Sequence, residues 1–314
     1  MNFIKMHGAG NDYVFIDGFV ETLPTNPSDL SIRLSDRRMG IGADGLIFMM
    51  PPDCYANGSA GKREQSADVR MKMWNADGSE GAMCGNAARC VAFWMSRSGR
   101  VTDRCRIQMG QSLLLADVSL VDSAVMESDS ISLTLPAPLY SGGLVLPEIP
   151  QVVQFSSLPG PGSEHGQLTC HKVDCGNLHA VIFVDSLSDD LVQTLGPLVE
   201  NHAAFPGRTN VEFVCWRDRR RLEVRVWERG SGETLACGSG ACAAVVAAIS
   251  QEKCDSAQPI SVCLPGGILT VTWPCFASDR ELVGSEAAVQ DAKCMRLTGP
   301  ACLEFTGTWL GGRP

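Results

Sequence analysis

Two short stretches of the 314-residue chain hold residue types from which chemistry could be built. In "WNADGSEGAMCGNAARC", residues 74 to 90, Cys84 is followed by a glycine and a small polar residue, and in "VWERGSGETLACGSGACAA" Cys237 has the same setting. Each cysteine opens a segment of helical character. A helix start leaves backbone N–H groups unpaired and carries partial positive charge, which stabilises a thiolate and lowers a cysteine pKa below its usual value of about 8.5. The same N–H groups can hold a carboxylate, and the glycine after each cysteine lets a ligand approach the backbone. Two such ends facing each other across a cleft could hold a carboxylate with one sulfur on either side of its α-carbon. That is a two-base arrangement, removing a proton from one face and returning one to the other. Alone, either cysteine reads first as a buried thiol, ahead of a metal ligand, half of a disulfide or a reagent.

The elements that must position these thiols occur twice. At a fixed offset of 153, Trp74, Glu80, Cys84, Gly85 and Ala88 fall on Trp227, Glu233, Cys237, Gly238 and Ala241. Upstream, "GNDYVFID" from Gly10 is matched by "GNLHAVIFVD" from Gly176, and "ADGLIFM" by "RTNVEFV". An internal duplication of one α/β unit of about 150 residues accounts for this. The first residues read as two strands joined by a Gly/Asn loop. Residues 27 to 38 read as a helix with Ser28 as its N-cap, and "GADGLIFMM" as a buried strand. Residues 51 to 68 read as an exposed loop without chemistry. "VRMKMWNADG" is a strand entering a turn, and a helix begins at Cys84 with apolar positions at 88, 91, 92 and 95. Strand-like runs follow at 105 to 108, 112 to 118 and 130 to 135, and then a proline-rich stretch.

A boundary near residues 130 to 140 divides the chain into a first half, 1–132, carrying Cys84, and a second, 133–314, carrying Cys237. The last strand could cross back to the first half. Strands outnumber helices and the connections look too short for crossover helices. The expected class is therefore α/β (α+β): two pseudo-symmetric halves, each a curved, mainly antiparallel sheet around a central helix. "GAGND" lacks the G-x-G-x-x-G spacing of a dinucleotide site.

Composition narrows the partners. With 26 basic and 35 acidic residues the chain offers no electrostatic footprint for nucleic acid or anionic lipid, and "RDRRR" at Arg217–Arg221 reads as a turn between strands. No apolar run approaches the roughly 18 to 20 residues needed to span a bilayer, and the N-terminus does not resemble a secretion signal. A cytoplasmic protein without nucleic-acid or membrane partners is expected. Most of the fourteen cysteines read as small buried hydrophobes, Cys90 among them as helix packing. No C-x2-C occurs, and the spacings Cys84/Cys90, Cys170/Cys175 and Cys237/Cys242 have five, four and four intervening residues, so no metal site is expected. On residue type alone, the asparagines after Gly10 and Gly176 suit turns, Glu228 and Arg229 an exposed pair, and His179 a histidine beside a strand.

Taken together, "KMHGAGNDYVFID", "DRRMGIGADGLI", "MWNADGSEGAMCGNAARC", "GNLH", "RTNVEFV", "VWERGSGETLACGSGACAA", "LPGG" and "LTGPA" resemble the diaminopimelate epimerase family over nearly the whole chain and in family order. Similar cysteine pairs occur in proline racemases, whereas "NADGSE" and "ERGSGET" fit the epimerase pattern. The resemblance implies an isomerase that interconverts LL- and meso-diaminopimelate without a cofactor, a homodimer, and an active site between the two halves. By position it makes Cys84 and Cys237 the acid/base pair. It assigns Asn11, Asn75, Asn177, Asn210, Glu228 and Arg229 to the substrate, and the backbone at Gly85-Asn86 and Gly238-Ser239 to the reacting carboxylate. His179 falls close to the catalytic pair, and Glu228 could also assist one thiol. Related alternatives are a racemase of another amino acid and a non-catalytic amino-acid binding protein on the same scaffold. Leu178 stands where the family has proline, which removes a fixed φ beside Asn177 and His179. The loop 51–68 and the segment 274–296 are longer than the family's habit.

Overall fold

The computed structural model describes residues 1–22, 24–52, 67–81, 84–110, 112–118, 128–138, 151–155, 168–276 and 293–311. The loop expected at 51–68 therefore lies mostly outside the described residues, as do residues 277–292 of the long segment. The chain forms two compact units, Met1–Leu133 with Thr298–Pro314, and Thr134–Leu297.

The first unit runs β1 (Asn2–Gly8), β2 (Asn11–Asp17), α1 (Pro27–Ser35), β3 (Gly45–Met50), β4 (Val69–Asn75), β5 (Glu80–Gly81), α2 (Gly85–Arg97), β6 (Arg104–Met109) and β7 (Ser112–Asp117), then enters β8 (Ser128–Pro136). Ala9 and Gly10, at φ 55 and 81, make the tight β1–β2 turn. Two left-handed residues match the twist of a hairpin, a conformation glycine adopts without cost and alanine does not. α1 lays Leu34 on a core of Phe3, Val14, Ile16, Leu46, Phe48 and Trp74. α2 buries Ala88, Val91, Ala92 and Met95, with Cys90 wholly enclosed, and packs against β1, β4, β6 and β7.

The second unit repeats this order. β9 (Gln151–Phe155) is followed by β10 (Leu168–Asp174), β11 (Leu178–Phe183), α3 (Asp189–Glu200), β12 (Asn210–Asp218), β13 (Arg221–Glu228), β14 (Gly232–Thr234), α4 (Gly238–Ser250), β15 (Pro259–Leu264), β16 (Gly267–Phe276) and β17 (Lys293–Thr308). "RDRRR" does form the turn between β12 and β13. α4 is apolar on every side and packs against β10 to β13, β15 and β16, as a helix enclosed by its sheet must be. α3 adds Leu191, Val192, Leu195 and Val199 to a core with Ile182, Val211 and Phe213.

The pairings repeat as well. β2 lies parallel to β3 with Tyr13 opposite Gly45, and β3 antiparallel to β4 with Leu46 opposite Trp74. In the second unit His179 of β11 stands opposite Asn210 of β12, and Val211 opposite Trp227 of β13. Residues 302–308 of β17 pair antiparallel with β1, so the last strand supplies an edge of the first unit.

Two sequence expectations are corrected. The connections do accommodate crossover helices: α1 and α3 join the parallel pairs β2–β3 and β11–β12, while α2 and α4 lie within the connections of β4–β6 and β13–β15. Parallel neighbours require such a crossing, although antiparallel hairpins still dominate each sheet. Ser28 is not the cap of α1: Asn26 accepts from the Asp29 N–H, because Pro27 occupies the first helical position, and Ser28 Oγ donates to the Gly78 carbonyl. α3 had no counterpart in the sequence reading.

Candidate active site

In the first unit the strand β4 ends at Asn75, the chain turns, and Cys84 caps α2. Cys84 Sγ accepts from the Ala87 N–H at 3.4 Å, which satisfies one of the donors a helix start leaves open. The half-buried sulfur also lies 3.2 Å from Tyr13 Oη and 3.8 Å from Asn11 Oδ1. Asn11 Oδ1 accepts from Tyr13 Oη at 2.6 Å and from Asn86 Nδ2 at 3.2 Å. Asn11 Nδ2 donates to Asp44 at 2.5 Å. Asp44 and Asp12 share Arg37, and Lys5 bonds Asp12 and the Gly42 carbonyl, so "GND" and "GAD" are tied together by charge-assisted bonds.

Behind α2, the fully buried Arg89 donates to Asn86 Oδ1 at 2.8 Å, to the Pro300 carbonyl at 3.2 Å and to the Gly85 carbonyl at 3.5 Å. It thus fixes the Gly85-Asn86 backbone from below. Asn11, Cys84, Gly85 and Asn86 form one cluster. Asn75 stands apart in hydrogen bonding, its Nδ2 donating to Ser79 Oγ within the β4–β5 turn at 2.9 Å.

The second unit builds an equivalent corner. Cys237 caps α4, accepting from the Gly240 N–H at 3.4 Å, with Ser239 Oγ at 3.5 Å. Gly240 leaves room for Glu212, since a Cβ there would stand 2.7 Å from Glu212 Oε1 and displace its carboxylate. Burial pushes the Cys237 thiol well above its ordinary pKa, and the carboxylates of Glu228 and Glu212 push the same way. Glu228 itself is raised, by burial first, although Thr234 Oγ1 donates to it at 2.5 Å. Its charge acts directly on Cys237.

His179 is enclosed between Glu212 Oε1, 2.6 Å from Nδ1, and Asn177 Oδ1, 2.8 Å from Nε2. Asn210 accepts from the Arg229 N–H at 2.9 Å and donates to the Leu178 carbonyl at 3.2 Å, which Thr209 Oγ1 also reaches. Two side chains thus hold the carbonyl of Leu178, the residue at the family's proline position. Arg229 is exposed, with Nη1 donating to the Gly207 carbonyl. Tyr13, Asp44, Arg89 and Glu212 are neighbours the sequence reading passed over. The register of "GNDY" with "GNLH" was the signal for Tyr13, and the helical spacing of Gly85 and Arg89 the signal for Arg89.

The sequence profile of diaminopimelate epimerase matches residues 3–131 and 172–282. Diaminopimelate epimerase of Desulforudis audaxviator is 37% identical over 313 residues, covering 99% of each chain, and that of Geobacillus thermodenitrificans 40% identical over 310 residues, covering 98% of this chain and 96% of its own. The chain belongs to the diaminopimelate epimerase family. Among solved structures, a hydroxyproline epimerase from Agrobacterium vitis is similar at a TM-score of 0.62 and 15% identity, covering 98% of this chain and 91% of its own. A PhzF-family phenazine biosynthesis protein from Bacillus anthracis is similar at 0.65 and 13% identity, covering 98% of both. These two share the fold of the epimerase family. Among the described residues no group of three or more His, Cys, Asp or Glu is arranged to hold a metal ion, and no helix is long and apolar enough to cross a membrane.

Proposed function

We propose that the protein is a diaminopimelate epimerase, an isomerase of lysine and cell-wall precursor synthesis that inverts one α-carbon of LL- or meso-diaminopimelate. Cys84 and Cys237 act from opposite faces of that carbon, one as thiolate base and the other as thiol acid, with roles exchanged for the opposite isomer. The observation that carries this reading is the repeated corner: in each unit a cysteine caps the start of the enclosed helix, in a family named for this reaction. The backbone N–H groups at Gly85-Asn86 and Gly238-Ser239 hold the reacting carboxylate and stabilise the charge that develops next to it. Asn11, Asn75, Asn177, Asn210, Glu228 and Arg229 serve the substrate, with His179 and Glu228 assisting. The reading needs no cofactor: one thiolate removes the α-proton, the opposite thiol delivers another to the same carbon, and the helix-start N–H groups stabilise the charge between the two transfers. A cytoplasmic homodimer belongs to the same reading.

LL-diaminopimelate supplied beside other L-amino acids should be the substrate whose configuration changes, and heavy water should place deuterium at its α-carbon. Full turnover by both Cys84→Ala and Cys237→Ala would sink the two-thiol mechanism.

A further inference from the structure

We infer that the Tyr13 hydroxyl is a positioning residue for Cys84, a hydrogen-bond partner that follows the thiol's proton and favours its thiolate form. This rests on Cys84 being one of the two bases. Tyr13 is buried at the start of β2, its ring edge-on to Phe15, and its oxygen lies 3.2 Å from Cys84 Sγ and 2.6 Å from Asn11 Oδ1. A phenol has one proton and can accept as well as donate. When Cys84 is a thiol, S–H donates to Tyr13 Oη and the phenol proton rests on Asn11 Oδ1. When Cys84 is a thiolate, the phenol proton turns to the sulfur, and Asn11 Oδ1 keeps the Asn86 Nδ2 bond at 3.2 Å. Neither state strands a buried polar atom of this trio. When the thiolate takes the substrate's α-proton, the S–H bond forms and the phenol proton returns to Asn11; tyrosine never gives its proton away.

The duplication supplies an independent observation. Tyr13 and His179 occupy the same place in their units, each two residues after a Gly-Asn pair and each opposite the first residue of the next parallel strand. His179 bonds Asn177 Oδ1 at 2.8 Å as Tyr13 bonds Asn11 Oδ1 at 2.6 Å. Glu212 backs the histidine, while the register places the apolar Ile47 at the corresponding point behind Tyr13. One unit therefore holds its asparagine with a buried acid/base pair and the other with a neutral phenol. Among the described residues, the ionisable groups around Cys84 include Tyr13 on β2, Arg89 and Cys90 on α2, and, through Asn11, Asp44 before β3. Lys5 and His7 on the adjoining β1 are committed to Asp12 and Glu304.

The test is the pH dependence of Cys84 alkylation by iodoacetamide, followed on its own peptide by mass spectrometry in the full-length protein and in Tyr13→Phe. Losing a hydrogen bond to a charged sulfur should raise the Cys84 titration by about one pH unit, so that alkylation below that range slows roughly tenfold while the alkaline plateau is unchanged. The acid limb of kcat/KM should move with it. An unshifted titration, or a rate lowered equally at every pH, overturns the inference. If Tyr13→Phe does not fold, fluorotyrosine incorporation replaces it: the stronger phenol donor should lower the Cys84 titration, and no change overturns the inference. Failure of the parent protein to epimerise diaminopimelate would remove the functional reading, whereas the alkylation titration would still decide the role of Tyr13.

Discussion

Cys237 illustrates how a side chain's surroundings can oppose its helix cap. The N–H of Gly240 and the hydroxyl of Ser239 favour the thiolate, but burial and the carboxylates of Glu228 and Glu212 outweigh them. Glu228→Gln should therefore shift Cys237 alkylation to lower pH, by about one unit, because a negative neighbour is removed. Peptide-resolved alkylation rates read this directly, and an upward shift would contradict it. Asp12 and Glu200 are two of the carboxylates that folding holds below their ordinary pKa. Burial alone would raise Asp12, but Arg37 and Lys5 hold it below its ordinary pKa; burial would likewise raise Glu200, but the Trp227 and Gly230 N–H groups and Arg208 hold it down. A carboxylate lowered by folding stabilises above its unfolded pKa, and that contribution is lost as pH falls through the folded value. Asp12→Asn and Glu200→Gln should each cost about 1 to 3 kcal/mol at pH 7 and flatten the loss of stability in acid, as urea unfolding from pH 7 to 3 would show.

At the level of elements, the helices were unequally legible. α2 and α4 could be read because a cysteine, a glycine and an apolar run recur at one offset. α3 could not: Gly196 and Pro197 interrupt it, and their reason lies in tertiary contact. A Cβ at Gly196 would stand 2.6 Å from the Trp227 ring, so only glycine lets the helix sit against that indole. Gly196→Ala should cost about 1 to 3 kcal/mol, measured by urea denaturation, although alanine is the better helix former. The spacing of Arg89 from Gly85 could place it on α2, but a charged residue in an apolar helix gives no sign of the carbonyls it will meet. Arg89→Met should lose about 2 to 4 kcal/mol by removing the buried bonds to the Pro300 carbonyl and Asn86 Oδ1, and should lower turnover beyond that by loosening the Gly85-Asn86 backbone. The Leu178 departure, by contrast, was visible in sequence, while the bonds of Thr209 and Asn210 to its carbonyl required the fold.

For the molecule as a whole, duplication was the most informative sequence signal. It exposed the two cysteine corners and the class of fold, while the crossings hidden in longer connections came only with strand register. The return of β17 to the first unit has its own signature. A Cβ at Gly307 would meet the Phe3 ring at 2.7 Å. Gly307→Ala should therefore loosen the β1–β17 pairing, raising hydrogen exchange at the amides of both strands about tenfold or more. Exchange resolved by peptide would show it, and unchanged protection in both strands would count against so close a fit.

That returning strand also orders events on the ribosome. β1 is synthesised before the whole of Thr134–Leu297, and residues 302–308, which pair with it, after. The second unit is continuous and can close while translation proceeds. The first must wait with one edge of β1 unpaired, an open template for any passing strand, until the last of its own sequence arrives.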